Sequence, residues 1–274
     1  MSYSYPLFQI SFVVYFLAMS AYIAFFVSQN NTVRLLARQI FTVAAILHTL
    51  NIVARYYEAG HTPITSQHET VSFFAWAIAW GYLSFRWRYT VKNFGTFVSV
   101  LTVLFMLIAT LASREILPLV PALQSWWLPF HASVSIVADG FLALACIGGI
   151  MYLIQEREIK RKHFGLFYSR MPSLDALDKL NQHCLSVGFP LLTLGIISGS
   201  VWAKQAWGAY WHWDPKETWS LITWFLYAAL VHLRFTVGWR GRPAAIMTII
   251  AFLAVLFTLW GVNYLLGGIH SYAK

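Results

Sequence analysis

GFPLLTLGIISGSVWAKQAWGAYWHWDPKETWSLITWFLYAALVHLR, residues 188–234, decides the reading of this chain. It opens and closes in apolar runs that suit bilayer-crossing helices, predicted over 183–203 and 217–238. Between them lies AKQAWGAYWHWDPK, residues 203–216, polar and dense in indole. Trp202, Trp207, Trp211, Trp213, Trp219 and Trp224 all fall in this region. An aromatic belt accounts for single Trp residues at helix ends. It accounts less well for a loop reading W-G-x-Y-W-x-W-D. A flat, apolar macrocycle explains it better, because indole faces stack on extended rings and exclude water. Gly208 would let the backbone approach such a ligand closely. Asp214-Pro215-Lys216-Glu217 reads first as a helix start: Asp at the N-cap, Pro at the first helical position, Glu three residues on. That helix N-terminus, with Lys204 and Lys216 nearby, suits an anionic carboxylate such as a propionate.

The rest of the chain agrees with a membrane setting. Hydrophobic residues make up 59% of 274 positions and charged residues 11%, against about 25% charged in a soluble domain. Apolar stretches recur near 6–28, 37–56, 69–86, 94–112, 131–154, 183–203, 217–238 and 244–266. The expectation is an all-α, polytopic helical bundle of about eight transmembrane helices, a single membrane domain over 1–274. The first stretch lacks a basic n-region and a small-residue cleavage site, so it reads as a retained helix.

The net charge of +9 does not point to nucleic acid, since Lys and Arg collect in the cytoplasmic loops of membrane proteins. With both termini outside, 14 basic residues face the cytoplasm and 5 face out. The polar segment 155–182 is then a cytoplasmic loop, helical in part, and 203–217 is external. Cys146 and Cys184 lie in different helices with no CxxC, which argues against a disulfide carrier. No GxGxxG, Walker A, GxSxG or HExxH pattern occurs. Gly188, Gly195 and Gly199 suit close helix packing.

Histidines supply the candidate iron ligands. His131 follows SWWLPF at the start of the fifth helix, and His270 follows the last helix. Both share the external face with the Trp loop, and two imidazoles on opposite sides of a macrocycle can ligate one haem iron. His232 lies in the apolar run TWSLITWFLYAALVHLRF, and ionisable residues inside membrane helices mark function. At 18 residues past Asp214 it sits about 27 Å deeper, near the cytoplasmic side, where it suggests a second, inner haem position. His48 reads as a bond to a neighbouring helix, His61 and His68 as loop or boundary residues, and His212 as a weaker ligand candidate in the loop itself.

WGAYWHWD, PKETWSLITW, His131 in WWLPFHAS and His270 in VNYLLGGIHSY together resemble the CcsA/ResC family of system II c-type cytochrome biogenesis proteins, within the WWD haem-handling superfamily. GHTPITSQHETVSFFAW, residues 60–76, resembles the family's N-terminal motif, with His68 where an aromatic is expected. The resemblance implies export of haem b and its attachment through thioethers to the CXXCH motif of apocytochrome c, as a haem synthase subunit working with a CcsB/ResB-type partner. It implies His131 and His270 as outer axial ligands, His232 as the membrane histidine of an inner site, and a further histidine on the partner. It implies a bacterial inner membrane, or a thylakoid membrane, which hosts the same family. The alternative is a haem transporter or system I-like chaperone without synthase activity.

Overall fold

The computed structural model describes residues 3–86, 91–116, 119, 124–162 and 165–266. Among them the regular structure is helical: α1 (Ser4–Ser28), α2 (Asn31–Ala59), α3 (Gln67–Arg86), α4 (Phe94–Leu111), α5 (Trp127–Lys160), α6 (Leu166–Arg170), α7 (Leu174–Trp207), α8 (Pro215–His232), α9 (Arg242–Leu256) and α10 (Val262–Leu265). π-helical turns Leu233–Val237 and Phe257–Gly261 follow α8 and α9. Seven of these segments are long and apolar enough to cross a membrane, so the chain is a polytopic helical membrane protein. α3, expected among the spans, is not one of the seven. Its first turn carries Gln67, His68 and Glu69, and most of its length is buried, so it has little need of a lipid-facing apolar surface.

The helix ends differ from the hydropathy reading for a physical reason. An apolar window stops at the first polar residues, whereas a capped helix continues past them. α2 starts at Asn31, not 37, because the Asn30 side chain accepts the Thr32 amide at 2.8 Å. α7 starts at Leu174, not 183, because Ser173 caps it through the Ala176 amide at 3.2 Å. At 34 residues, α7 is about 51 Å long and outruns a hydrocarbon core of about 30 Å. Most of segment 155–182 is therefore helical.

The chain divides into two compact units, Met1–Pro118 with Ser169–Pro172, and Leu119–Tyr168 with Ser173–Lys274. In the first, α1 packs on α2 and α4, and α3 on α4. Its core is aromatic at one level, where Phe41 lies edge-on to Tyr15, Tyr22 and Tyr82. It is polar at another, where His48 Nε2 meets Ser72 Oγ at 2.9 Å, as the reading of His48 expected.

In the second unit, α5 and α7 form the main pair. A Cβ at Gly188 would lie 2.8 Å from Leu142, at Gly195 2.4 Å from Ser135 Oγ, and at Gly199 2.6 Å from the His131 ring. Each step toward the end of α7 is matched by an equal step back along α5, so the three glycines set an antiparallel register. The far end of α8 is held by a buried ion pair. Arg234 Nη2 donates to Asp178 Oδ2 at 2.7 Å, and Asp178 Oδ1 accepts the Gly241 amide at 3.0 Å. Asp178→Ala would leave Arg234, 5% exposed, without its counter-charge. It is expected to cost about 3 kcal/mol, read as a lower unfolding temperature in detergent.

Candidate functional site

The candidate site of the second unit is built where α5 begins, α7 ends and α8 begins. At the α5 end, Ser125 Oγ donates to Gln205 Oε1 at 2.6 Å and accepts the Trp127 amide at 3.2 Å, which ties the SWW turn to the last turns of α7. Trp126, Trp127 and Phe130 are exposed there. One turn in, His131 Nδ1 donates to the Gly195 carbonyl at 2.7 Å. A carbonyl only accepts, so Nδ1 carries the proton and Nε2 is the lone-pair nitrogen, the form of imidazole that binds a metal. The ring lies 13° from parallel to Trp202 at 6.1 Å. Gly199 has no side chain, and that opens the space the imidazole fills.

From His131 an aromatic ladder leads into the loop. Trp202, 2% exposed, meets Trp207 at 4.7 Å, and Trp207 stands edge-on to His212 at 6.1 Å. Trp211 and Trp213 form a second edge-on pair at 5.8 Å. The Trp211 indole nitrogen is buried without a hydrogen-bond partner among the described residues, which leaves a donor inside the loop for a ligand. Trp213 is 71% exposed and has φ +56°. A bulky residue there is a strained exception, held because the next residue must enter the α8 cap.

That cap is complete. The Asp214 side chain accepts from the Lys216 amide at 3.0 Å, and Glu217 Oε2 accepts the amides of His212 and Asp214 at 2.7 and 3.3 Å. Asp214 is thus a helix cap, and Glu217 pins the loop against α8. Lys204 Nζ donates to the Gly208 carbonyl at 2.7 Å and lies over the Tyr210 ring. Lys216 is half-buried beside the cap. Gly208 ends α7 with φ +88°, and a Cβ there would meet nothing within 4 Å. Its glycine serves the left-handed C-cap of α7.

The expected residues are therefore not all together. His131, Trp207, Gly208, Trp211, Trp213, Asp214, Lys204 and Lys216 share one end of the second unit. His232 stands at the opposite end of α8, exposed, with Nδ1 3.5 Å from Thr236 Oγ1, at the start of a π-helical turn. π-turns inside helices often mark functional positions. His270 lies outside the described residues. Asp139 is not among the residues that stand out as candidates from sequence. It lies two turns inward from His131 on α5, about 12 Å along the axis, 5% exposed, with no ion-pair partner among the described residues. The buried Tyr227 hydroxyl is in its electrostatic reach. An acid inside the apolar run SIVADGFLALAC was the available signal.

Fold and site together define a multi-span helical membrane protein with an indole-rich loop at the histidine-bearing end of its second unit. The model of the family described as cytochrome C assembly protein matches residues 112–270. A relative from Chlamydomonas reinhardtii, named cytochrome c biogenesis protein CcsA, is 37% identical over 84% of this chain and 66% of its own length. One of the same name from Synechococcus sp. (strain CC9605) is 33% identical over 95% of this chain and 93% of its own. This chain belongs to the CcsA family of cytochrome c biogenesis proteins. The solved structure of cytochrome c haem lyase CcmF superposes with a TM-score of 0.67 at 14% identity, over 93% of this chain and 46% of that one. At that identity the likeness is one of fold.

Proposed function

We propose that this protein binds haem b at the end of the second unit and presents it to apocytochrome c. Acting with a CcsB/ResB-type membrane subunit, it serves as a haem synthase subunit that joins haem to a CXXCH motif on the outer face. The observation that carries this reading is His131, with Nδ1 locked to the Gly195 carbonyl and its ring parallel to Trp202 beneath the Trp loop. His131 and His270 serve as the axial ligands, and Trp207, Gly208, Trp211, Trp213 and Asp214 form the loop over the macrocycle.

The chemistry asks little acid–base work of this chain. Each thioether forms as a substrate thiol adds across a haem vinyl group, sulfur to one carbon and hydrogen to the other. No nucleophile of this protein is consumed. Its contribution is position and exclusion of water, the proximity effect. The substrate's own CXXCH histidine then displaces His131 or His270 to release the product. Loop 203–217 faces outward and segment 155–182 the cytoplasm, in a bacterial inner membrane or a thylakoid membrane. The excess of basic residues on the cytoplasmic side supports this orientation.

His232 serves an inner haem position shared with the partner. Its exposure on the surface of the second unit suits a ligand whose opposite number comes from another subunit. His232→Ala is expected to abolish the inner haem signal of the purified complex while the spectrum of haem supplied to the outer site persists; an unchanged spectrum would remove His232 from the site. Lys204→Gln with Lys216→Gln is expected to weaken haem retention about two- to fivefold by removing two cations near the propionates, measured as haem per protein after washing.

A further inference from the structure

The first unit holds a cavity of about 270 Å³ that the haem reading does not use. Ser4, Asn51, Arg55, His68, Glu69 and Arg114 contribute its polar lining. Five of these six are buried: Ser4 at 2% exposure, Glu69 at 4%, Asn51 at 6%, His68 at 7% and Arg55 at 8%. So many polar groups around one hollow in a membrane protein are costly unless they serve a ligand or a path.

The acids near the cavity are already occupied. Glu69 Oε1 takes the Arg55 guanidinium at 2.9 Å, and Oε2 accepts from the Thr65 amide and hydroxyl at 3.1 Å and the Ser66 amide at 3.3 Å. Glu58 is bound by the amides of Tyr3 and Ser4, where α1 begins. Arg55 also donates to the Arg114 carbonyl at 2.9 Å. This pinning accounts for Arg55 and Glu69 as structural groups.

It does not account for Arg114 or His68. Arg114 lies 4.3 Å over the Tyr5 ring and reaches the Thr110 carbonyl at 3.4 Å, with no carboxylate partner among the described residues. Among the lining residues two guanidiniums stand against one carboxylate, while the Glu58 carboxylate is committed to the start of α1. His68 Nδ1 donates to the Ala109 carbonyl at 2.7 Å, so its Nε2 is an acceptor. Asn51 donates through its amide nitrogen to the Ser4 carbonyl at 2.7 Å, which leaves its oxygen as a second acceptor. Anion on one side and hydroxyl donors on the other is the requirement this lining sets.

We propose that this cavity binds a glycerophosphate group, with the phosphate on Arg114 and the glycerol hydroxyls toward His68 and Asn51. The volume is that of roughly nine waters at about 30 Å³ each, which suits a group of this size. Such a group has two sources, the head of phosphatidylglycerol or a free glycerol phosphate. The neighbouring outward face of α2 carries Val53, Tyr56 and Tyr57 exposed, as helices do where they meet lipid head groups.

The test uses the full chain, purified with its partner and stripped of lipid. Native mass spectrometry counts retained molecules after addition of phosphatidylglycerol, phosphatidylcholine or sn-glycerol 3-phosphate. Wild type should retain one phosphatidylglycerol in preference to phosphatidylcholine. Arg114→Gln should lower that retention roughly tenfold, the scale of one charge-assisted hydrogen bond, and Arg114→Lys should recover part of it. Arg114 is itself exposed, so both variants should keep the wild-type unfolding temperature. Retention of sn-glycerol 3-phosphate with the same Arg114 dependence assigns the free source instead. Equal retention of the two lipids with no glycerol phosphate bound, or retention that ignores the Arg114 change, overturns the proposal.

Discussion

His131→Ala is expected to strip the outer site of haem, by tenfold or more in haem per protein, and to abolish cytochrome c maturation in cells. The cause is specific. The imidazole is held at three points: its Nδ1 proton on the Gly195 carbonyl, its face parallel to Trp202, and its edge in the space that Gly199 leaves open. Partners that fix the orientation of a metal-ligating histidine are typically worth about 10- to 100-fold in affinity, and loss of the ligand itself exceeds that. Exogenous imidazole should restore haem to the variant, because it fills the vacated volume with the same nitrogen donor. Rescue would separate lost ligation from a lost fold. Absent rescue, with an unchanged unfolding temperature, would assign the ring a packing role.

Gly199→Ala should produce a related loss while leaving every candidate haem contact in the sequence. The added methyl would sit 2.6 Å from His131 Cε1 and 2.8 Å from Nδ1. Real Cβ atoms do not approach so closely, so the ring must turn or the α5–α7 pair must part. Turning the ring breaks the Gly195 bond, which frees the tautomer. Parting the helices costs packing across their length, about 1–3 kcal/mol. The expected outcome is a drop in outer-site haem of about tenfold or more, with a small fall in unfolding temperature. Gly208→Ala is the matched control. A Cβ there meets no protein atom within 4 Å, and its positive φ costs about 1 kcal/mol of local strain, so the seating of His131 is untouched and the haem loss should be smaller than in Gly199→Ala. Equal losses in the two variants would mean that the loop as a whole, and not the histidine's seating, governs binding.

Much of this architecture is legible in the sequence because bilayer helices and helix caps depend on local chemistry. The Asp214–Glu217 start of α8 is a four-residue pattern, and the structure has both halves of its capping box. Gly188, Gly195 and Gly199 signal a close helix pair before their partners Leu142, Ser135 and His131 are known. What the sequence hides is what depends on residues far apart. The acceptor for His131 is a backbone carbonyl 64 residues away, and no side-chain pattern encodes that. His68 reads as a boundary residue and lies in the first turn of α3, but its burial on Phe8 and its bond to the Ala109 carbonyl depend on residues far away in the chain. The Arg55–Glu69 pair has the same character, since its purpose emerges only with the loop amides it gathers. Hydropathy starts α7 at 183, nine residues past Leu174, because its first turns are polar and project beyond the apolar window. The left-handed backbone of Gly208 is likewise a property of the folded C-cap that the loop's composition does not spell out.

The most direct measurement is the absorption spectrum of the protein purified with its CcsB/ResB-type partner, wild type beside His131→Ala and His270→Ala, each with and without imidazole. Haem binding between these two ligands predicts a bis-histidine Soret and α band in wild type, loss or shift of both bands in each variant, and their return with imidazole. A complex that purifies without haem and takes up none when haem is added, or variants whose spectra match wild type, would contradict it.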